Sequence, residues 1–237
     1  MSESPFKTFF DTLWFSHFVE PIDKIPLSTE SLTQELRRRY YEWDYLNVYD
    51  LINFIAQQEH TSFNKEEFIE SCNVVLKKEL SGYRFIQDSL TPIINDQEIL
   101  EVEKAISDSI DNNLTGVRMH LTDALHKLSD RKKPDFRNSI KESISAVESL
   151  CQKITCDNSA ELSKALKKIG DKIAIHSALQ QGFIKIYGWT SDGDGIRHAM
   201  MDEPNLDQED ALYMLVSCSS FINYLIRKSQ KADISLN

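Results

Sequence analysis

Residues 134–154 read PDFRNSIKESISAVESLCQKI. Their apolar members are Ile140, Ile144, Val147, Leu150, Cys151 and Ile154. Steps of three and four put all six on one face of a helix. Pro134 followed by Asp135 is a helix start, because a short carboxylate caps free N–H groups. The stretch therefore predicts a long amphipathic helix with one face in a core.

The same period continues in both directions. Downstream, Asn158 or Ser159 caps a short helix carrying Leu162, Ala165, Leu166 and Ile169, with Gly170 as its stop. Leu179, Phe183, Ile186 and Tyr187 make the next stripe, ended by Gly188. Asp207 opens a last long helix, with Asp210 three residues on as in a capping box. Its stripe is Ala211, Met214, Leu215, Cys218, Phe221, Ile222 and Leu225. Upstream, helices are predicted from Thr29 or Ser31 through Tyr40, over Leu46 to Ala56, and from an Asn64 cap through Phe68, Ile69, Cys72, Val75, Leu76 and Leu80. A further helix runs from Asp96 to Ile110. One interruption has a strand pattern. Residues 83–86 (YRFI) and 90–93 (LTPI) flank Gln87, Asp88 and Ser89 and predict a small β-hairpin over about 83–93. Pro92 confines its second strand to an edge.

Composition agrees. The chain has 237 residues with only seven Gly and six Pro, too few turn residues for a sandwich or barrel. The expected class is all-α, in two parts: an N-terminal helical domain with the hairpin over 1–112, and a helical bundle over 113–237. The boundary is set at the run of Asn112, Asn113 and Gly116. The aromatic stretch with Phe9, Phe10, Trp14 and Phe15 is broken by Asp11 and reads as a packing helix, not an export signal. The four cysteines form no CxxC pair, so reduced thiols and a cytoplasmic location are expected, without metal or cofactor. No apolar run has membrane-spanning length.

Charge is uneven. Residues 1–112 hold 10 Lys and Arg against 21 Asp and Glu, a net of −11; residues 113–237 hold 17 against 16, a net of +1. A chain of net charge −10 does not bind nucleic acid through its overall field. Any such contact is local, and the second half has the means. Lys127, Arg131, Lys132, Lys133 and Arg137 cluster around the turn before the quoted helix, and Asn138 follows. Four of the seven glycines lie from Gly182 to Gly195, and Arg197 and His198 come directly after. Arg binds phosphate in a bidentate way, and His moves protons near neutrality. The pair suits metal-independent RNA cleavage by the ribose 2′-OH. Glu142 lies off the apolar stripe and is a candidate partner for Arg197. His17, His60, His120, His126 and His176 show no metal spacing and are read as structural.

Several stretches resemble the bacterial AbiJ-type abortive-infection family, in particular its N-terminal module. They are residues 31–37 (SLTQELR) with Trp43, 82–86 (GYRFI), Pro92 and Ile93 ahead of Glu98, 129–131 (SDR), 134–149, 187–189 (YGW) and 195–199 (GIRHA). The resemblance implies phage defence by abortive infection. It also implies a second half similar to HEPN domains, helical bundles that often pair as dimers and are in many cases metal-independent ribonucleases. Their motif is Arg, a polar residue, and His four to six residues beyond the Arg. Arg197 and His198 match its start, whereas Asp202 stands five residues after Arg197 in place of the motif His. The resemblance thus implies an endoribonuclease with Arg197, His198, Asp202 and Glu142 as catalytic candidates. Lys132, Lys133, Arg137 and Asn138 are the RNA-binding candidates, and a homodimer and a regulatory protein are the expected partners. The alternative is a catalytically inactive HEPN-like sensor or protein-interaction module, which the acidic first half favours.

Overall fold

The computed structural model describes residues 5–58, 64–160, 162–189 and 206–236. The described residues form ten α-helices and one two-stranded hairpin, so the chain is all-α as expected. It divides into two compact units, residues 1–90 and 91–237.

In the first unit, α1 (Pro5–Thr12) runs on into a π-helical turn, Leu13–His17. Leu13 and Trp14 are buried, whereas Phe15 is exposed. Helix α2 (Thr29–Glu42) starts at Ser28, whose Oγ accepts from the Ser31 N–H. Helix α3 (Tyr45–Ala56) is capped by Asp44 and α4 (Lys65–Lys78) by Asn64. Each cap occupies a first-turn N–H that would otherwise lack a partner. The core joins Ala56, Leu76, Phe85 and Leu90, with Ile52, Phe68, Ile69 and Cys72 packed against it. Val75 and Leu80, expected on the same stripe, are exposed. Leu80 lies just past the helix at φ 53°, which turns it off the helical face. A second cluster is aromatic. Trp14 and Phe18 meet edge to face at 4.9 Å, and the Arg39 guanidinium lies 4.3 Å from the Phe18 ring centre.

The hairpin comprises β1 (Arg84–Ile86) and β2 (Ser89–Thr91). Gln87 has φ 54°, the left-handed value that tight hairpin turns need at their first central position. The second strand stops before Pro92, which has no N–H to donate.

The second unit holds α5 (Asp96–Asp111), α6 (Thr115–Ser129), α7 (Phe136–Thr155), α8 (Leu162–Lys172), α9 (Ser177–Trp189) and α10 (Gln208–Lys231). Helices α5, α6, α7 and α10 make a four-helix arrangement in which α6 and α10 each pack on both α5 and α7. Helix α8 lies on α7, and α9 on α8. The stripe of α7 is buried throughout: Ile140, Ile144, Val147, Leu150, Cys151 and Ile154. Each large aliphatic side chain there contributes about 1.5–3 kcal/mol of burial. All seven stripe residues of α10 are buried too, and Asp207 with Asp210 forms the expected capping box. No helix among the described residues is long and apolar enough to cross a membrane.

Two glycines differ from expectation. Gly170 and Gly188 lie inside α8 and α9 instead of ending them. At Gly170 the reason is a close approach, since an added Cβ would lie 3.1 Å from Gln180 Nε2. Leu179, expected on the stripe of α9, is exposed.

Candidate functional site

Helices α6 and α7 are joined by the turn that carries the basic cluster. Asp130 organises it. One carboxylate oxygen, Oδ1, accepts from the backbone N–H of both Lys132 and Lys133, each at 3.0 Å. The turn is thereby fixed, and both lysines are exposed. The chain re-enters a helix at Asp135, whose N–H donates to Lys127 O at 3.1 Å. Asp135 Oδ1 then accepts from the Asn138 N–H at 3.0 Å, and Oδ2 from Asn138 Nδ2 at 2.7 Å. Burial works to raise the pKa of Asp135. The two Asn138 bonds and the charges of Lys127 and Arg137 outweigh it and hold the carboxyl below its ordinary range.

Small residues let α6 and α7 approach closely. Ser139 Oγ donates to Ala124 O at 2.8 Å, and Gly116 lies against Ser149. Between these contacts sits a pair that local spacing does not reveal: His120 Nδ1 is 2.7 Å from Glu142 Oε2. The imidazole is 40% exposed and the carboxylate 16%.

The sequence candidates therefore distribute as follows. Lys132 and Lys133 are displayed on the turn, and Arg137 is half-buried beside them. Asn138 is half-buried too, and its amide is spent on Asp135. Glu142 is brought to His120, which sequence reasoning took as structural. Folding α6 back on α7 about the turn at 130–133 brings positions equidistant from that turn face to face, and this symmetry could have found the pair. Arg197, His198 and Asp202 lie outside the described residues.

Among the described residues, clefts also lie elsewhere. One of about 530 Å³ in the first unit is lined by Trp14, Glu20, Lys24, Glu35, Arg38 and Arg39. Its arginines are engaged: Arg39 Nη2 bonds both oxygens of Glu20 at 3.0 Å, and Arg38 pairs with Glu35 and Glu42. Another, about 430 Å³, lies between Trp189 of α9 and Tyr213 of α10. Among the described residues no group of three or more His, Cys, Asp or Glu is placed to hold a metal ion.

No curated protein and no solved structure matches the chain. A family model does match its first part, and that match associates the chain with abortive infection, an anti-phage response. Residues 3–108, which span the four helices and hairpin of the first unit and most of α5, match the family model of AbiJ N-terminal domain 4.

Proposed function

We propose that this protein is an abortive-infection endoribonuclease that works in the cytoplasm without a metal, and that its second unit is a HEPN-like bundle acting as a homodimer. One observation carries the reading. A chain of net charge −10 with an AbiJ-type module gathers Lys127, Arg131, Lys132, Lys133 and Arg137 around a single turn fixed by Asp130. Its exposed Lys132 and Lys133 suit a phosphate backbone, because cations release counterions on binding. Arg197 binds the scissile phosphate and stabilises the charge that grows on its oxygens, with Asp202 orienting it. His198 serves proton transfer at the same phosphate.

The test is cleavage of bulk tRNA and rRNA in EDTA by the wild type and Arg197→Ala. Cleavage by the wild type alone, leaving 2′,3′-cyclic phosphate ends, is the expected result. Equal cleavage by both removes Arg197 from the site.

A second reading is favoured by the surface of the first unit. Tyr40, Tyr41, Tyr45 and Leu46 are exposed around the junction of α2 and α3, in a half of net charge −11. Exposed aromatics of this kind suit a regulatory protein partner. Under this reading the chain is a sensor, cleaves nothing, and is recovered from cells in a stable complex.

A further inference from the structure

His120 and Glu142 are more than a surface ion pair in form. An ionised carboxylate only accepts hydrogen bonds, so Glu142 Oε2 at 2.7 Å holds the proton of a neutral imidazole on Nδ1. The lone pair is then on Nε2. Burial divides the two roles. Glu142 is sheltered at 16% exposure, beside the buried Ser143, while the imidazole is 40% open to solvent. A sheltered carboxylate orienting an accessible imidazole is the base-and-orienter arrangement of proton-transfer sites.

A second observation concerns what lies along the same seam. Lys127 is seven residues after His120 on α6, which returns it to the same face about 10 Å along the axis. On α7, Asn138 and Glu142 follow the Asp135 cap at steps of three and four and share its face. Lys127 O accepts from the Asp135 N–H, which closes the seam at its turn end. The basic turn and the histidine are thus two ends of one strip between α6 and α7.

We propose that His120, oriented by Glu142, is the general base of the ribonuclease, with the RNA strand lying along the α6–α7 seam and its phosphates on Lys127, Lys132 and Lys133. The proposal rests on the nuclease reading and deepens it by naming the base. Nε2 of His120 takes the proton of the ribose 2′-OH. The O2′–P bond forms and the P–O5′ bond breaks. The leaving O5′ takes its proton from the acid of the site, the role left to His198 in the nuclease reading, and the proton held by His120 returns through water to restore that acid. The products are a 2′,3′-cyclic phosphate and a 5′-hydroxyl, and the imidazole is neutral again. Glu142 is a positioning residue, since it acts only through His120.

The experiment uses the full chain with a single-stranded RNA 20-mer in EDTA, and a fully 2′-O-methylated copy that cannot react. Base removal costs about 10²–10⁴-fold in rate. His120→Gln and His120→Ala are expected to cut at least 100-fold more slowly, yet to bind the methylated copy within about threefold of wild type. Glu142→Gln is expected to lower kcat about tenfold at unchanged KM, a split that a merely structural pair would not produce. Melting curves matching wild type establish that each variant is folded, and Gln replaces Ala where Ala does not fold. Wild-type rates in His120→Gln, with Arg197→Ala inactive, overturn the proposal and leave the nuclease reading standing. A wild type that leaves RNA intact overturns the nuclease reading, and this base with it.

Discussion

Asn73 holds the backbone of Phe85 with both ends of its side-chain amide: Nδ2 donates to Phe85 O at 3.0 Å, and Oδ1 accepts from the Phe85 N–H at 2.7 Å. On the other strand Asn53 Oδ1 accepts from the Leu90 N–H at 2.7 Å. With a two-residue turn, Phe85 and Leu90 face each other and their main-chain groups point outward. Two asparagines from α3 and α4 therefore occupy both outer edges of the hairpin. Asn73→Asp keeps the acceptor, loses the donor and sets a carboxylate against the Phe85 carbonyl. It is expected to cost about 1–3 kcal/mol in urea unfolding, with Asn73→Ala in the same range.

Gly116 and Ser149 limit how closely α6 meets α7. A Cβ on Gly116 would lie 2.5 Å from Ser149 Oγ and 3.6 Å from its Cβ. Only the hydroxyl obstructs. Replacing a helical glycine by alanine gains about 0.5–1 kcal/mol where there is room. Gly116→Ala is expected to show that gain in a Ser149→Ala background and to lose most of it in the wild type. A double-mutant cycle measures the difference, and additive effects would refute the contact.

Glu35 makes the first unit sensitive to acid. Hydrogen bonds from Arg38, then from Arg39, lower its pKa from 4.5 to about 2 against the opposing pull of burial. A carboxyl with a depressed pKa in the folded state stabilises above its unfolded value and loses that contribution as pH falls through the folded one. Stability is expected to decline from about pH 4.5 to about pH 2 partly through this group. Glu35→Gln should flatten the pH dependence of unfolding in that window. An unchanged slope would show that the pairs make no net contribution.

The cysteines should sort by accessibility. Cys156 is exposed, whereas Cys151 and Cys218 are buried, and burial pushes both of those thiols far up from their ordinary range. Iodoacetamide is expected to label Cys156 first in the native protein and Cys151 and Cys218 only after unfolding. Cys156 also caps α7 at φ 57°, a left-handed conformation that glycine adopts without penalty. Cys156→Gly should accordingly raise stability by about 1 kcal/mol in chemical denaturation.

The helices of the second unit were legible because their burial is one-sided. The stripes of α7 and α10 repeat over several turns, and no side chain in them changes face. The caps at Asn64 and Asp207 were legible as well, since a cap is a contact over three residues. Gly170 misled because its reason is tertiary: Gln180 of the next helix approaches it and bonds Leu166 O. The His120–Glu142 pair stayed hidden for the same reason. Its members are 22 residues apart and meet only when two helices fold together. What local spacing shows of a site is its backbone period, and this pair has none.

Helix α5 has a consequence for modularity. It begins within the stretch matched to the AbiJ module, yet Asn223 of α10 donates to Glu101 through two contacts, at 3.0 Å to its carbonyl and 2.8 Å to Oε2. Val102, Ala105 and Ile106 are buried on a helix whose neighbours are α6 and α10. A gene fragment cut just after α5 would encode a greasy, uncovered helix, and its product would be prone to clump. Recombination between relatives would leave sounder offspring where the crossover falls ahead of that helix or beyond the last one.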